Sequence, residues 1–170
     1  MEIQWKAVKD YDNYEVSNMG QIRNKKGQLM KARDNGRGYM NCHLRQNNTS
    51  KHVYIHRVVA QAFVTATSED QNEVDHIDKD KSNNCASNLR WATRSQNNSN
   101  VSESRHKNKA CKYKGVTLMN NKLMWRARIV KDKKEYFIGS YKTEIDAAKA
   151  YNAKALELFG EFACLNTIKE

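Results

Sequence analysis

Asp75 and His76 stand side by side in a short apolar-flanked run, Val74 to Ile77, and two side-chain amides, Asn88 and Asn97, follow downstream. A hard divalent ion takes oxygen ligands. Asp75 and the amide oxygen of Asn97 would supply two of them and leave positions for water and phosphate. Such an ion stabilises charge on a scissile phosphate and on its leaving oxygen. Neutral His76 would accept the proton of an attacking water, since imidazole titrates near neutral pH. Asn88, at the start of a returning strand, is placed to hydrogen-bond across the hairpin and fix the histidine loop. A one-residue slip would exchange Asn97 with Asn98, and Asn83, Asn84, Asn98 and Asn100 otherwise read as turn formers.

The elements that must position these groups are short. Val74 to Ile77 reads as a strand, Lys79 to Asn84 as a polar turn too short for a helix, and Leu89 to Thr93 as the returning strand. The polar segment from Arg94 to Val101 begins a helix. Upstream, Val53-Tyr54-Ile55 is a strand, and apolar residues at 58, 59, 62 and 63 follow helical spacing beneath the hairpin. Thr65 to Asn72 is a polar loop between the two.

The run VDHIDKDKSNNCASNLRWATRSQNN resembles the HNH, or ββα-metal, nuclease motif of phage and intron-encoded homing endonucleases, in the subgroup where the last His is replaced by Asn. The resemblance covers roughly residues 56 to 101. It implies metal-dependent hydrolysis of a DNA phosphodiester, with His76 as general base, Asp75 and Asn97 as metal ligands (Mg2+ or Mn2+) and Asn88 as the orienting residue. In this subgroup a His-Arg pair commonly opens the preceding helix. His56 and Arg57 then either sit near the phosphate or, for His56, only cap and pack. His43, His52 and His106 have no companion ligands nearby in sequence and read as surface residues.

The charge of the chain points to a polyanionic partner. Its 170 residues carry a net charge of +11. Residues 1–55 hold ten basic against five acidic residues, residues 56–100 five against six, and residues 101–170 fifteen against eight. A metal-binding centre between two phosphate-gripping arms has this pattern, and a uniformly basic ribosomal-type protein does not. No apolar run approaches the ~20 residues of a membrane span, and no basic-then-apolar signal peptide opens the chain. Cys42, Cys85, Cys111 and Cys164 lack C-x-x-C spacing, so structural zinc is not expected and the thiols read as reduced in an intracellular protein.

Both flanks are motif-rich. W-K-x-V, then D-Y-x-x-Y-E-V-S-N-x-G-x-I-R, resembles the NUMOD4 module found ahead of HNH motifs, with Asp10 standing where glycine is frequent. By resemblance the module contributes to DNA binding. The residues read as a small sheet, punctuated by Gly20, Gly27, Gly36 and Gly38, with Trp5, Tyr11 and Tyr14 as a miniature core. Its Arg23, Lys25, Lys26, Lys31, Arg33, Arg37 and Arg45 would line a phosphate backbone. Residues 102–112 read as a basic linker without apolar periodicity.

Beyond it, Tyr113–Thr117, Trp125–Val130 and Lys134–Gly139 alternate as three strands, with turns at Asn120-Asn121 and Lys131–Lys133. A helix follows, N-capped by Thr143 with Asp146 three residues on, buried through Ile145, Ala148, Tyr151, Ala155 and Leu158, and ended by Gly160. YKGV, W-x-A-x-I, FIGSY, T-E-x-D-A-A-x-A-Y-N and LFGEFACLN resemble the AP2 DNA-binding domain across its whole length. That resemblance implies a sheet that enters the major groove. Face alternation leaves Lys114, Arg126 and Arg128 toward DNA. Thr117, Met119, Val130 and Glu135 stand where plant AP2 factors have arginine, so the plant-type site is not implied.

The resulting expectation is a modular α+β protein. It has a NUMOD4-like module (1–55), an HNH centre (56–101), a basic linker (102–112) and an AP2-type sheet on one helix (113–167). It would act inside the host cell as a monomeric, site-specific homing endonuclease nicking one strand of double-stranded DNA. The rival readings are a non-catalytic AP2-type DNA-binding regulator with a vestigial HNH segment, and a structural RNA-binding protein.

Overall fold

The computed structural model describes residues 2–100, 111–119 and 123–168. The expected linker (save Cys111 and Lys112) and the expected turn at Asn120-Asn121 lie outside the described residues. The fold is mixed α+β, built from several small antiparallel sheets and few helices, and it forms two compact units, Met1–Thr93 and Arg94–Glu170.

The first unit opens with a meander of β1 (Trp5–Val8), β2 (Tyr11–Ser17) and β3 (Ile22–Asn24). Asp10, in the β1–β2 turn, has φ +62. That left-handed conformation is the one glycine adopts without steric cost, which explains why glycine suits this position. A second sheet holds β4 (Arg33–Asp34), β5 (Met40–Gln46) and β6 (Thr49–Tyr54). Asn47 and Asn48 (φ +49 and +61) form the two-residue turn between β5 and β6, a handedness that matches strand twist. Helix α1 (Ile55–Phe63) buries Ile55, His56, Val58, Val59 and Ala60. The hairpin of β7 (Glu73–His76) and β8 (Leu89–Ala92) completes the unit, with Asp75 opposite Arg90 and His76 opposite Leu89.

One hydrophobic core runs through these elements, β4 apart, whose two residues are exposed. Val8, Val16 and Ile22 of the meander, Cys42 and Leu44 of the second sheet, Val58 and Val59 of α1, and Val74 and Leu89 of the hairpin belong to a single buried cluster. Tyr11 and Tyr14 pack against it as the miniature-core reading expects, whereas Trp5 is half-buried and carries the Arg23 guanidinium 4.0 Å above its ring. Polar ties fix the order of packing. The Trp91 indole N–H donates to the Val64 carbonyl (2.8 Å), and Lys6 Nζ donates to the Ala62 carbonyl (2.9 Å).

The second unit begins with α2 (Arg94–Ser99). It continues with β9 (Val116–Leu118), β10 (Trp125–Lys131), β11 (Lys134–Tyr141) and α3 (Glu144–Phe159). The sheet order is β11-β10-β9. Ala127 and Ile129 are buried while Arg126 and Arg128 are exposed, as period-two alternation requires. The helix lies close to the sheet because small residues face it. A Cβ added to Gly115, at φ +74, would stand 2.2 Å from the Tyr151 ring.

Thr143 caps α3 by accepting from the Asp146 amide (3.1 Å), and Gly160 ends the helix. The buried face differs from the sequence expectation. Ile145 is exposed, Leu158 is half-buried, and Ala147 and Phe159 join Ala148, Tyr151 and Ala155 in the interior. The apolar stripe is shifted because alanines, not the larger residues, make the close contact with the sheet. Asn152 and Asn166 close the unit. The Asn152 amide donates to the Asn166 carbonyl (2.9 Å), and the Asn166 N–H donates to Asn152 Oδ1 (2.7 Å). Asn166 also accepts from the Lys114 N–H (2.7 Å).

Candidate nuclease site

Strand β7 ends with Asp75 and His76, both buried, and the loop after it is shaped by side-chain amides. Asn88 is the crosspiece. Its Oδ1 accepts from the Asp78 N–H (3.0 Å), and its Nδ2 donates to Asp78 Oδ1 and to the Asn83 carbonyl (2.9 Å each). Its carbonyl accepts from the Ile77 N–H (2.9 Å), so one residue holds both ends of the loop that leaves His76. Slight burial raises the Asp78 carboxyl, but the hydrogen bonds from Asn83 and Asn88 outweigh it and bring the group below its ordinary value.

Asp75 is paired across the hairpin. Arg90 Nε and Nη2 each stand 2.9 Å from Asp75 Oδ2, with both side chains largely withdrawn from water. A buried carboxylate needs such a partner, because an ion removed from water without a counter-charge is costly. The guanidinium holds the carboxylate in one orientation. Asn97 is half-buried on α2, in the second compact unit, and neighbouring Asn98 is exposed. The Asp75 carboxylate is a hard oxygen donor, of the kind a Mg2+- or Mn2+-class ion takes. Among the described residues no group of three or more His, Cys, Asp and Glu side chains is placed to hold a metal ion.

His76 lies in an aromatic nest that the sequence did not disclose. Its ring is 5.1 Å from that of His56 and 6.2 Å from that of Tyr39, while His56 is also 5.3 Å from Tyr39 and 5.5 Å from Tyr54. Burial lowers the affinity of the His76 ring for a proton, partly offset by the Asn84 hydrogen bond and by Asp75, Asp78 and Asp80. It is therefore neutral near pH 7, the form a proton acceptor needs. His56 is buried, its Nδ1 has no hydrogen-bond partner, and burial together with His76 and Arg57 pushes it down to about 3. Of the two readings open for His56, the packed one describes its surroundings, and Arg57 beside it is exposed. Lys81 sits 4.2 Å over the Tyr39 ring and donates to the Arg37 carbonyl (2.8 Å).

The basic residues separate into two groups. Lys25, Arg37 and Arg126 are exposed. Arg23 instead donates to Glu15 (2.7 Å) while stacked on Trp5, and exposed Arg128 pairs with Glu135 (2.8 Å). Lys114 departs most from the expected open face. It is half-buried, and its Nζ donates to the Ser99 carbonyl (2.5 Å) within the second unit. His43 and His52, isolated in sequence, are cross-strand neighbours with ring centroids 3.7 Å apart.

Residues 53–99, which contain this loop with Asn83, Asn84 and Asn88, match the family model for HNH endonucleases, and residues 4–45 match the NUMOD4 motif. The chain carries an HNH endonuclease motif behind a NUMOD4 motif. Two uncharacterised HNH endonucleases of Acanthamoeba polyphaga mimivirus are similar to it. One is 45% identical over 98 residues (57% of this chain, 29% of the relative), and the other 40% over 116 residues (68% and 58%). The DNA endonuclease I-HmuI of Bacillus phage SP01 is 36% identical over 97 residues, 56% of this chain and 55% of that protein. The chain thus spans less than two thirds of the length of these curated relatives. A solved structure of DNA binding and cleavage by the HNH homing endonuclease I-HmuI superposes with a TM-score of 0.53 at 26% identity, covering 91% of this chain and 90% of that one. Among the described residues no helix is long and apolar enough to cross a membrane.

Proposed function

We propose that the chain is a site-specific, metal-dependent DNA endonuclease of the HNH homing type, hydrolysing one phosphodiester per binding event and so nicking duplex DNA. The observation that carries this reading is the buried Asp75-His76 pair at the end of β7, held by Arg90 and by the Asn88 crosspiece, inside the segment that matches the HNH endonucleases. In this reading Asp75 and Asn97 hold Mg2+ or Mn2+. When bound, the ion supplies positive charge to the phosphate and to the leaving oxygen. His76 accepts the proton of the attacking water, Asn88 keeps the loop in register, and Arg90 orients the Asp75 carboxylate.

The flanks supply affinity. Lys25, Arg37 and Arg57 in the first unit, and Arg126 and Arg128 on the exposed face of β10 in the second, are placed for phosphate or base contact. The three-stranded sheet on one helix supports the AP2 reading of residues 113–167; that the protein acts as a monomer inside a host cell is part of the same proposal. The basic balance of +11 supports the same partner.

The test is incubation of the full chain with supercoiled DNA spanning the intron-less form of its host gene, in Mg2+ or Mn2+, with EDTA and His76→Ala as controls. Open-circle product that needs metal and vanishes in the variant is the expected result. Salt-sensitive retention of duplex without a nick, in both proteins, would move the assignment to a non-catalytic DNA-binding regulator.

A further inference from the structure

Val16-Ser17-Asn18-Met19-Gly20 lies in the stretch that matches the NUMOD4 motif, which by resemblance would contact DNA. The structure turns this run inward. Val16 and Ser17 are fully buried, and Ser17 Oγ accepts from the Gln21 N–H (3.0 Å) and the Met19 N–H (3.3 Å), shaping the turn from inside. Asn18 ties the turn to the chain before β1. Its Oδ1 accepts from the Gln4 N–H (3.1 Å), its Nδ2 donates to the Glu2 carbonyl (3.0 Å), and its N–H donates to the Gln4 carbonyl (3.0 Å). Both ends of the Asn18 amide are thus engaged within the protein. The outer side of the turn meets the loop between β7 and β8. The Asn18 carbonyl accepts from the Ala86 N–H at 2.8 Å. A Cβ placed on Gly20 would come within 2.9 Å of Asn84 Cβ and 3.1 Å of the Asn84 carbonyl oxygen, so the approach needs glycine.

We infer that the turn of residues 17–20 is a clamp on the loop that leaves His76, and that Asn18 and Gly20 are positioning residues rather than DNA contacts. The clamp stands on geometry alone, while its effect on nicking rests on the nuclease reading above. The grip falls on the same span that Asn88 holds from the other side through Asp78 and the Asn83 carbonyl. Between the two, Asn84 is buried, with its Oδ1 3.3 Å from His76 Nε2. A loop without regular structure along most of its length depends on such outside contacts for its shape. Reacting groups tolerate little displacement, so a loop that drifts slows the chemistry even when substrate still binds. The N-terminal motif thereby has a task at the site besides affinity for DNA.

Gly27 supplies the control. Its φ of +79 matches the +80 of Gly20, but a Cβ added there meets nothing within 4 Å. Gly20→Ala and Gly27→Ala therefore carry the same left-handed strain, and only the first collides with the loop. The experiment follows amide hydrogen exchange and single-turnover nicking of the host-gene DNA with the full chain. Gly20→Ala should lose protection at the Ala86 amide relative to the Val59 amide inside α1. It should also lower the nicking rate about 10–100-fold, the range of other orienting partners, at unchanged DNA affinity. Gly27→Ala should do neither. Asn18→Ala keeps the carbonyl but frees the turn from Gln4 and Glu2. It should move both readouts the same way, less far, and it decides the matter if Gly20→Ala does not fold. Equal behaviour of the two glycine variants overturns the inference, as does an Asn18→Ala protein with wild-type exchange and nicking. An Ala86 amide that opens while nicking keeps its rate overturns the positioning role. Weaker DNA binding with nicking intact at saturation would return the turn to DNA contact. An Ala86 amide that follows the substitutions in a chain whose wild type never nicks would instead sink the nuclease reading and leave the clamp standing.

Discussion

His56 and Asp75 are the side chains whose burial has the most measurable consequences. Burial, then the charges of His76 and Arg57, push the His56 ring down to about 3 from its ordinary 6.5. Between those values the unfolded chain takes up a proton that the native ring refuses. The contribution to stability is therefore whole above pH 6.5 and drains away as pH falls through about 3, by as much as about 1.4 kcal/mol per pH unit. His56→Phe, which keeps a ring in the nest, should flatten the dependence of the urea midpoint on pH between 6.5 and 4. An unaltered slope would assign the acid lability to other groups. Arg90→Ala leaves the Asp75 carboxylate buried, at 4% exposure, without its guanidinium and should destabilise the protein by about 3–5 kcal/mol in urea unfolding. Loss of less than about 1 kcal/mol would mean that another group or water takes over the role of Arg90.

At the level of elements, turn chemistry is the simplest lever. Asp10 is held at φ +62, so Asp10→Gly should raise the thermal midpoint, with a gain of up to about 1 kcal/mol. Gly115→Ala should do the opposite, because the new methyl would meet the Tyr151 ring at 2.2 Å where α3 crosses the sheet. A second unit that stays folded at full stability in that variant would refute the close helix–sheet contact.

These elements also show what a sequence discloses. The alternation of Arg126, Ala127, Arg128 and Ile129 and the Thr143–Asp146 spacing are local patterns, and strand faces and cap follow from them directly. The Asp75-His76 pair is legible for the same reason, as neighbours on one short strand. Arg90 and Asn84 are not legible, because their roles depend on the register of β7 against β8 and on how the intervening loop folds back. Tyr39, Tyr54 and His56 reach His76 only through the packing of the second sheet and α1. The Asn152–Asn166 clasp joins two ends of a unit that no periodicity connects.

For the molecule as a whole, on the proposed function the net charge of +11 would make binding to DNA a salt-dependent equilibrium. Each side chain that neutralises a phosphate contributes about one to the log–log salt slope. Arg126→Ala should remove about that much. Arg128→Ala should remove less, since Arg128 must first leave Glu135, its partner at 2.8 Å. Filter binding across a salt series separates the two variants, and equal losses would show that the Glu135 pair is no competitor.

The single buried cluster shared by the meander, the second sheet, α1 and the β7–β8 hairpin bears on how such chains can be shuffled by recombination. Motif boundaries suggest a junction near residue 50, between the matched stretches 4–45 and 53–99. A crossover there would pair Val16 and Leu44 from one parent with Val59 and Leu89 from another, and the chimera would inherit a mismatched interior. A junction at Thr93/Arg94 leaves that interior intact. Grafts that exchange everything beyond Thr93 are therefore the ones expected to survive, whether the recombination is natural or deliberate.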